Sequence, residues 1–141
     1  MMKERTFTMI KPLAVQNGFI APILDDIHKA GFKIIAIKMK HLTQEHAQLF
    51  YDIHKDKAFY NTLVDFMSSG PVVAVVLEKD NAVEDYRKLI GNTDPQKAVE
   101  GTIRSKYAQD ITHNAVHGSD SIENAQKEIC FFFSETEIYS I

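Results

Sequence analysis

One stretch of eight residues, Asn114 to Ser121, concentrates side chains that could do chemistry. It reads Asn-Ala-Val-His-Gly-Ser-Asp-Ser, so the histidine, His117, lies next to a glycine and several short polar side chains. Neutral imidazole can act as a nucleophile through one ring nitrogen while a partner holds the other. Asn114, Ser119 and Glu128 are candidates for that partner. His117 is therefore a candidate nucleophile, although a lone histidine is more often structural.

Basic and hydroxyl side chains elsewhere in the chain could bind an anion for such a nucleophile to attack. Lys11 follows the first predicted strand, and Thr93 opens a predicted helix, where free amides and the helix dipole favour an anion. Arg87 and Arg104 lie on either side of Thr93 in the sequence. Each is more often an ordinary surface residue, and the chain contains neither a P-loop nor a glycine-rich dinucleotide motif. Only folding can decide whether these side chains meet.

A metal site is the other chemistry that this region suggests. His113 and His117 are four residues apart, a spacing that suits two ligands on one helix face. The Gly-Ser-Asp that follows His117 argues against a helix, and no third ligand lies at a suitable spacing. We therefore expect no metal held by the protein alone.

Composition limits the class of protein. The 141 residues predict one domain spanning 1–141. A net charge of -3 argues against general affinity for nucleic acid or anionic membranes. The longest apolar runs are too short to span a bilayer. A single cysteine, Cys130, forms no internal disulfide, and the charged residues Lys3 to Arg5 are followed by a strand pattern rather than the apolar core of a signal peptide, so we expect a cytoplasmic protein.

Hydrophobic periodicity predicts the elements that must position the candidate residues. It predicts strands at Arg5–Ile10, Lys33–Leu42, Val72–Leu77 and Ile129–Ser134, the last a core strand containing Cys130. It predicts helices over Gln16–Ala30, from Thr43, over Ala58–Ser68 and Asn81–Ile90, from Asn92 to Pro95 onwards, within Gly101–Gln109, and over Ser121–Lys127. Reduced to its core, the order is βαββαβ. That order predicts a ferredoxin-like α+β fold, a four-stranded antiparallel sheet with helices packed on one face.

Seven short segments, taken in order, resemble the nucleoside diphosphate kinase family, and together they extend over nearly the whole chain. They are Thr8-Met-Ile-Lys11-Pro12, Phe50-Tyr51, Phe59, Met67-Ser-Ser-Gly70-Pro71-Val72, Arg87-x-Leu-Ile-Gly91-x-Thr93-Asp-Pro95, Gly101-Thr-Ile-Arg104 and Asn114-x-x-His117-Gly-Ser-Asp-Ser121. Any one of these would be a weak signal, whereas all seven in order are specific. The chain departs from the family pattern at Leu13, Ala58, Ser105–Ala108 and His113, none of which has a direct chemical role.

The resemblance implies a reaction and a role for each matching residue. The γ-phosphoryl group of a nucleoside triphosphate would pass to His117 and then to a different nucleoside diphosphate, by a ping-pong mechanism. Phosphate-binding positions match Lys11, Arg87, Thr93 and Arg104, with Lys11 also reaching the sugar. The remaining roles are a ribose contact at Asn114, base stacking at Phe59, a position near the phosphates at His54, and positioning of the histidine by Tyr51, Ser119 and Glu128.

The resemblance also implies a cofactor and an assembly. Mg²⁺ would arrive with the nucleotide and bridge its phosphate oxygens. Stacking on Phe59 would not distinguish bases, because every base has a π-face. Members of the family form tetramers or hexamers, so we expect a homo-oligomer. We expect no membrane partner and no specific nucleic acid.

Two other functions fit parts of the sequence. A non-catalytic nucleotide-binding regulator could share the fold, but the presence of both Lys11 and His117 favours an enzyme. A nucleic-acid-binding module is also compatible with a ferredoxin-like sheet. The net acidity and the lack of an aromatic RNA-binding strand motif argue against that second alternative.

Overall fold

A computed structural model describes residues 3–141 and centres on a four-stranded antiparallel sheet. The strands are β1 (Glu4–Ile10), β2 (Lys33–Lys40), β3 (Val72–Lys79) and β4 (Val116–Gly118). Their order across the sheet is β2-β3-β1-β4, and every neighbouring pair is antiparallel. This confirms the ferredoxin-like α+β fold.

Seven α-helices lie within the described residues. They are α1 (Pro12–Gln16), α2 (Ile20–Lys29), α3 (Gln44–Phe50), α4 (Tyr60–Met67), α5 (Ala82–Ile90), α6 (Ile103–Tyr107) and α7 (Ile122–Phe132). The helix predicted from 16 to 30 thus begins at Ile20, because Gly18 turns the chain with φ +81°. Within residues 3–141, no helix combines the length and apolar character needed to cross a membrane.

Helices cover both faces of the sheet. The two crossover helices of the βαββαβ core, α2 and α5, pack on one face, where Ile23, Ile27 and Tyr86 are fully buried. The additional helices α3, α4 and α7 cover the other face, where Phe7 of β1 stacks on Phe132 at 5.2 Å. Full burial of each such side chain contributes about 2 kcal/mol. The prediction that the helices pack on one face of the sheet therefore holds only for the crossover helices α2 and α5.

The predicted last strand, Ile129–Ser134, is wrong. Most of that segment is the end of α7, which buries Ala125, Ile129 and Phe132 at helical spacing and leaves Cys130 exposed. Ser121 accepts a hydrogen bond from the amide of Asn124 at 3.0 Å and begins a helix longer than predicted. The fourth strand is instead β4, whose three residues are too few to show a period of two.

The helix predicted from Asn92 does not form, so Thr93 is not at a helix N-terminus. Asn92 Oδ1 accepts from the amide of Asp94 at 2.9 Å, and Asp94 Oδ1 accepts from the amide of Gln96 at 3.0 Å. These local side-chain hydrogen bonds stabilise consecutive turns that compete with a helix. The chain from Asn92 onwards therefore reaches α6 through turns rather than through a helix.

Candidate active site

A cleft of about 660 Å³ opens where the ends of β1, β4, α5 and α7 meet the loops that follow α3 and α6. Ten of the eleven candidate residues from the sequence line it. They are Lys11, Tyr51, His54, Phe59, Arg87, Thr93, Arg104, Asn114, His117 and Glu128. The eleventh, Ser119, is buried directly behind Glu128. Side chains separated by more than a hundred positions in the sequence thus share one cavity.

His117 lies in the middle of β4, opposite Met9 of β1, and 17% of its side chain is exposed. Its Nε2 is 2.9 Å from Glu128 Oε1, and Ser119 Oγ donates to the same carboxylate oxygen at 2.6 Å. Because an ionised carboxylate can only accept, Nε2 must carry the imidazole proton. Nδ1 then holds the lone pair, and no hydrogen bond within residues 3–141 occupies it.

Lys11 is a buried cation at the end of β1, with only 6% of the residue exposed. Burial, with a smaller contribution from the nearby Arg104, lowers the pKa of Lys11 to about 7. Its ammonium group forms no salt bridge with any described carboxylate. An anion that enters the cleft beside this lysine would stabilise its protonated form, which burial disfavours.

Arg104 is also buried, and its guanidinium donates to three backbone carbonyls. The acceptors are the carbonyl oxygens of Asn114 at 3.3 Å, Gly91 at 3.0 Å and Val116 at 2.9 Å. Burial lowers the pKa of Arg104 to about 10, so the group stays charged at pH 7. Arg104 therefore supplies positive charge to the cleft and ties β4 to the end of α5.

Replacing Gly91 by alanine is expected to destabilise the fold and weaken this tie. Gly91 has φ +84°, and an added Cβ would lie 2.7 Å from Thr102 Oγ1. The combined strain and overlap should lower the free energy of unfolding by about 2–3 kcal/mol in urea titrations. Gly101→Ala is the matched control, since Gly101 has φ +93° but open space around it, and should cost only about 1 kcal/mol. Equal costs for the two variants would contradict the overlap.

The rim of the cleft carries the remaining candidates. Arg87 on α5 is exposed, and so is Thr93 in the turns that follow that helix. Phe59, which is half exposed, occupies the N-cap position of α4. The His54 ring lies 5.5 Å from the Phe59 ring. Burial lowers the pKa of His54, with Lys57 adding to the effect, so this imidazole is neutral at pH 7.

Two buried polar atoms that line the cleft have no partner among the described residues. They are the Tyr51 hydroxyl and Asn114 Oδ1. Burial, and secondarily the charge of Glu128, raises the pKa of Tyr51, so its hydroxyl keeps its proton. Because a buried polar atom without a partner costs about 1–3 kcal/mol, both atoms favour a polar ligand in the cleft.

His113 does not join His117 in a metal site. It lies in a bend outside the cleft, its Nδ1 is 2.9 Å from Asp110 Oδ1, and its ring packs edge-on against Phe66. No cluster of three or more His, Cys, Asp or Glu side chains suited to a metal ion occurs within residues 3–141.

Three residues that hold His117, two by direct contact and one through the other, were given no role from the sequence. The ring of Phe50 lies 5.3 Å from the imidazole, edge to face, and fixes one side of it. Thr8 donates to the His117 carbonyl oxygen, and Tyr86 bonds to Thr8 from α5. Phe50 and Thr8 stand in segments that carry the family resemblance, whereas Tyr86 carried no sequence signal. The two hydrogen bonds of Thr8 join positions 109 and 78 residues apart.

A family model for nucleoside diphosphate kinase matches residues 4–138. The chain belongs to the nucleoside diphosphate kinase family. A nucleoside diphosphate kinase from Flavobacterium psychrophilum is 58% identical over 137 residues, which cover 97% of this chain and 99% of that protein. Members of this family are phosphotransferases that act on nucleotides.

Solved nucleoside diphosphate kinases have the same fold as this chain. The Aquifex aeolicus enzyme superposes with a TM-score of 0.95 at 45% identity, covering 98% of this chain and all of that one. The Halobacterium salinarum enzyme, solved in complex with CDP, gives a TM-score of 0.94 at 40% identity over 99% of this chain and 93% of that one.

Proposed function

We propose that this chain transfers the γ-phosphoryl group of a nucleoside triphosphate to His117 Nδ1, and then to a second nucleoside diphosphate. The observation that carries the proposal is the imidazole itself: Glu128 holds Nε2, while Nδ1 has no hydrogen-bond partner among residues 3–141, in a cleft that also contains Lys11 and Arg104. In the first step an N–P bond forms and the bond to the β-phosphate oxygen breaks, releasing a nucleoside diphosphate. In the second step a β-phosphate oxygen of another diphosphate takes the phosphoryl group and frees the imidazole.

The charges around His117 suit this reaction. Phosphoryl transfer requires positioning and charge stabilisation more than covalent machinery. Lys11, Arg87 and Arg104 would neutralise phosphate oxygens, with Thr93 donating from the rim. Asn114 Oδ1 and Lys11 would contact the sugar hydroxyls, and His54 would lie near the phosphates. Tyr51, Ser119 and Glu128 would hold the imidazole.

We propose that magnesium enters as part of the substrate, bound through the nucleotide phosphates. The donor set fits this, since the cleft is dominated by cations and contains the carboxylates of Asp120 and Glu128. Glu128 is already engaged by His117 and Ser119. Mg²⁺ prefers a few carboxylate or phosphate oxygens and several waters, so the nucleotide phosphates would supply most of its ligands other than water.

Broad use of bases would follow from the single aromatic contact. Phe59 offers a half-exposed ring at the mouth of the cleft. Stacking contributes about 1–3 kcal/mol per base and depends little on which base it is. Purine and pyrimidine nucleotides should therefore both serve as donors and acceptors.

Incubation with ATP labelled in its γ-phosphate tests the proposal. The wild-type protein should become labelled at His117, as mapped by peptide mass spectrometry, with a phosphoryl bond that is labile in acid and stable in base. Addition of GDP should then discharge the label as GTP. A protein that binds nucleotide but takes up no label would instead be a non-catalytic nucleotide-binding protein.

Replacement of Glu128 by glutamine should slow phosphorylation of His117 by about 10–100-fold. The amide keeps the size of the side chain but loses the charge that fixes Nε2 as the protonated nitrogen and stabilises a developing imidazolium. Single-turnover labelling with ATP measures the rate. Glu123→Gln, an exposed carboxylate on the same helix α7, should leave the rate unchanged. Wild-type labelling by Glu128→Gln would show that the carboxylate does not orient the nucleophile.

We further propose that residues 1–141 form one kinase domain that assembles as a homo-oligomer in the cytoplasm. The family model extends over nearly the whole chain, which supports the single domain. β2 lies at an edge of the sheet and exposes Ile37 and Met39, which would favour contact with another copy. Light scattering coupled to size exclusion distinguishes a tetramer from a hexamer. The single cysteine fits a reducing compartment.

A further inference from the structure

Two hydroxyl groups lie beneath β4, on the side of the sheet opposite the His117 imidazole. Thr8 of β1 and Tyr86 of α5 are both fully buried. Thr8 Oγ1 is 2.7 Å from the His117 carbonyl oxygen and 2.5 Å from the Tyr86 hydroxyl. Neither side chain lines the cleft, so neither touches a bound nucleotide. The mechanism described above uses neither of them.

The hydrogen bonds in this pair have a fixed direction. A carbonyl oxygen can only accept, so the single hydroxyl proton of Thr8 must point at His117. Tyr86 must then donate its own proton to Thr8 Oγ1. Burial raises the pKa of Tyr86, so the phenol keeps this proton. Each donor in such a chain polarises the next, which strengthens the bond to His117.

The strand that carries His117 is short, and the Arg104 guanidinium ties its Val116 carbonyl to the end of α5. β4 is three residues long and lies at the edge of the sheet, where its one partner among the described strands is β1. Gly118 presses directly on the helix below, since a Cβ there would lie 2.9 Å from Ile90 Cδ1 and 3.2 Å from the Tyr86 ring. The position of β4 over α5 therefore depends on the Arg104 guanidinium, which joins Val116 to Gly91, and on the contacts of β4 with Ile90, Tyr86 and the Thr8 hydroxyl.

We propose that Thr8 and Tyr86 are positioning residues that set the placement of His117 Nδ1 by holding its backbone carbonyl from beneath the sheet. Glu128 holds the imidazole from α7, and the hydroxyl pair holds the peptide that carries it. A displacement of about 1 Å in a reacting group can cost up to about 100-fold in rate. The inference rests on the proposed role of His117 as the nucleophile.

Single-turnover phosphorylation by ATP tests the hydroxyl pair. Thr8→Val keeps the shape of the side chain but removes the hydroxyl, and it should slow labelling by about 10-fold with nucleotide affinity within about twofold of wild type. Thr8→Ser restores the donor and should return the rate to within about threefold. Tyr86→Phe should slow labelling by about threefold. The double variant should be no slower than Thr8→Val, because Tyr86 acts through Thr8.

Thr6→Val is the matched control. Thr6 is buried two residues earlier on the same face of β1, and its Oγ1 has no partner among residues 3–141. This variant should phosphorylate at the wild-type rate.

Three outcomes would overturn the inference. Thr8→Val could lower the melting temperature yet keep the wild-type rate, which would make the hydroxyls purely structural. Thr8→Ser could be as slow as Thr8→Val, which would assign the loss to packing. If Thr8→Val fails to fold, the Tyr86→Phe variant provides the test, and a wild-type rate of phosphorylation in that variant would reject the proposal. A wild-type protein that takes up no label would reject the proposed function itself, whereas a labelled wild type with insensitive variants would reject only this inference.

Discussion

Replacement of His117 by asparagine is expected to lower phosphoryl transfer between ATP and GDP by about 10⁴-fold or more. Asparagine supplies no nucleophile, and transfer through the enzyme has no alternative once the covalent intermediate is lost. Its amide is too short to reach Glu128, but Ser119 still donates to that carboxylate, so the melting temperature should change by only a few degrees, about 3 °C or less. Steady-state exchange and γ-phosphate labelling both measure the loss.

His46→Asn is the control for this variant. His46 is exposed on α3, and its ring lies edge-on to Phe131 outside the cleft. It should exchange phosphate at the wild-type rate. A His117→Asn protein that still incorporates label would reject the histidine mechanism, and the site of labelling would then identify another nucleophile.

Replacement of Lys11 by methionine should make the protein more stable and nearly inactive. The buried ammonium costs free energy in the folded state, as the lowering of its pKa from 10.5 to about 7 indicates. Methionine fills a similar volume without charge. At pH 7 we expect the free energy of unfolding to rise by on the order of 3 kcal/mol, and kcat/KM to fall by about 10²–10³-fold.

The pH dependence gives this prediction a sign. Between pH 7 and 10.5 the unfolded wild-type chain keeps a proton on Lys11 that the folded chain has released. Wild-type stability therefore rises with pH across this window, and the advantage of Lys11→Met should shrink and vanish near pH 10.5. Because phosphate binds the protonated lysine, wild-type kcat/KM should decline above pH 7 as Lys11 loses its proton. Lys11→Met has no such proton to lose, so this decline should be missing from its pH profile.

Urea titrations at several pH values and initial rates measure both effects. Lys88→Met is the control, since Lys88 is exposed on α5 and forms a surface salt bridge with Glu84. It should change stability by less than about 0.5 kcal/mol at any pH in this range. A Lys11→Met protein no more stable than wild type at pH 7 would show that the buried charge carries no cost.

Much of the architecture could be predicted from the sequence because its signals are local. β1, β2 and β3 alternate or run as β-branched residues over seven or eight positions, which is enough to show a strand. The ordered motifs around Lys11, Arg104 and His117 indicated the family before any geometry was considered. Membership in that family is confirmed over residues 4–138.

Two local interpretations failed where short-range patterns were ambiguous. An apolar run ending in Phe133 is compatible with a buried strand or with the end of an amphipathic helix, and packing of Ile129 and Phe132 against Phe7 decided for the helix α7. The motif from Asn92 to Pro95 has the residues of a helix start. The same side chains make Asx turns, and those turns form instead.

Residue types alone made His117 a candidate nucleophile, since a histidine beside glycine and short polar residues is an unusual local composition, and the family resemblance implied its reaction. The resemblance had implied a positioning role for Glu128, but only the tertiary structure shows the hydrogen bonds that surround the histidine and its strand. Glu128 orients its ring, Arg104 ties its strand to α5, and Thr8 holds its carbonyl from below. These are hydrogen bonds between residues distant in the sequence. Their partners carry no signature in spacing, because only the packing of the sheet against α5 and α7 brings them within 3 Å.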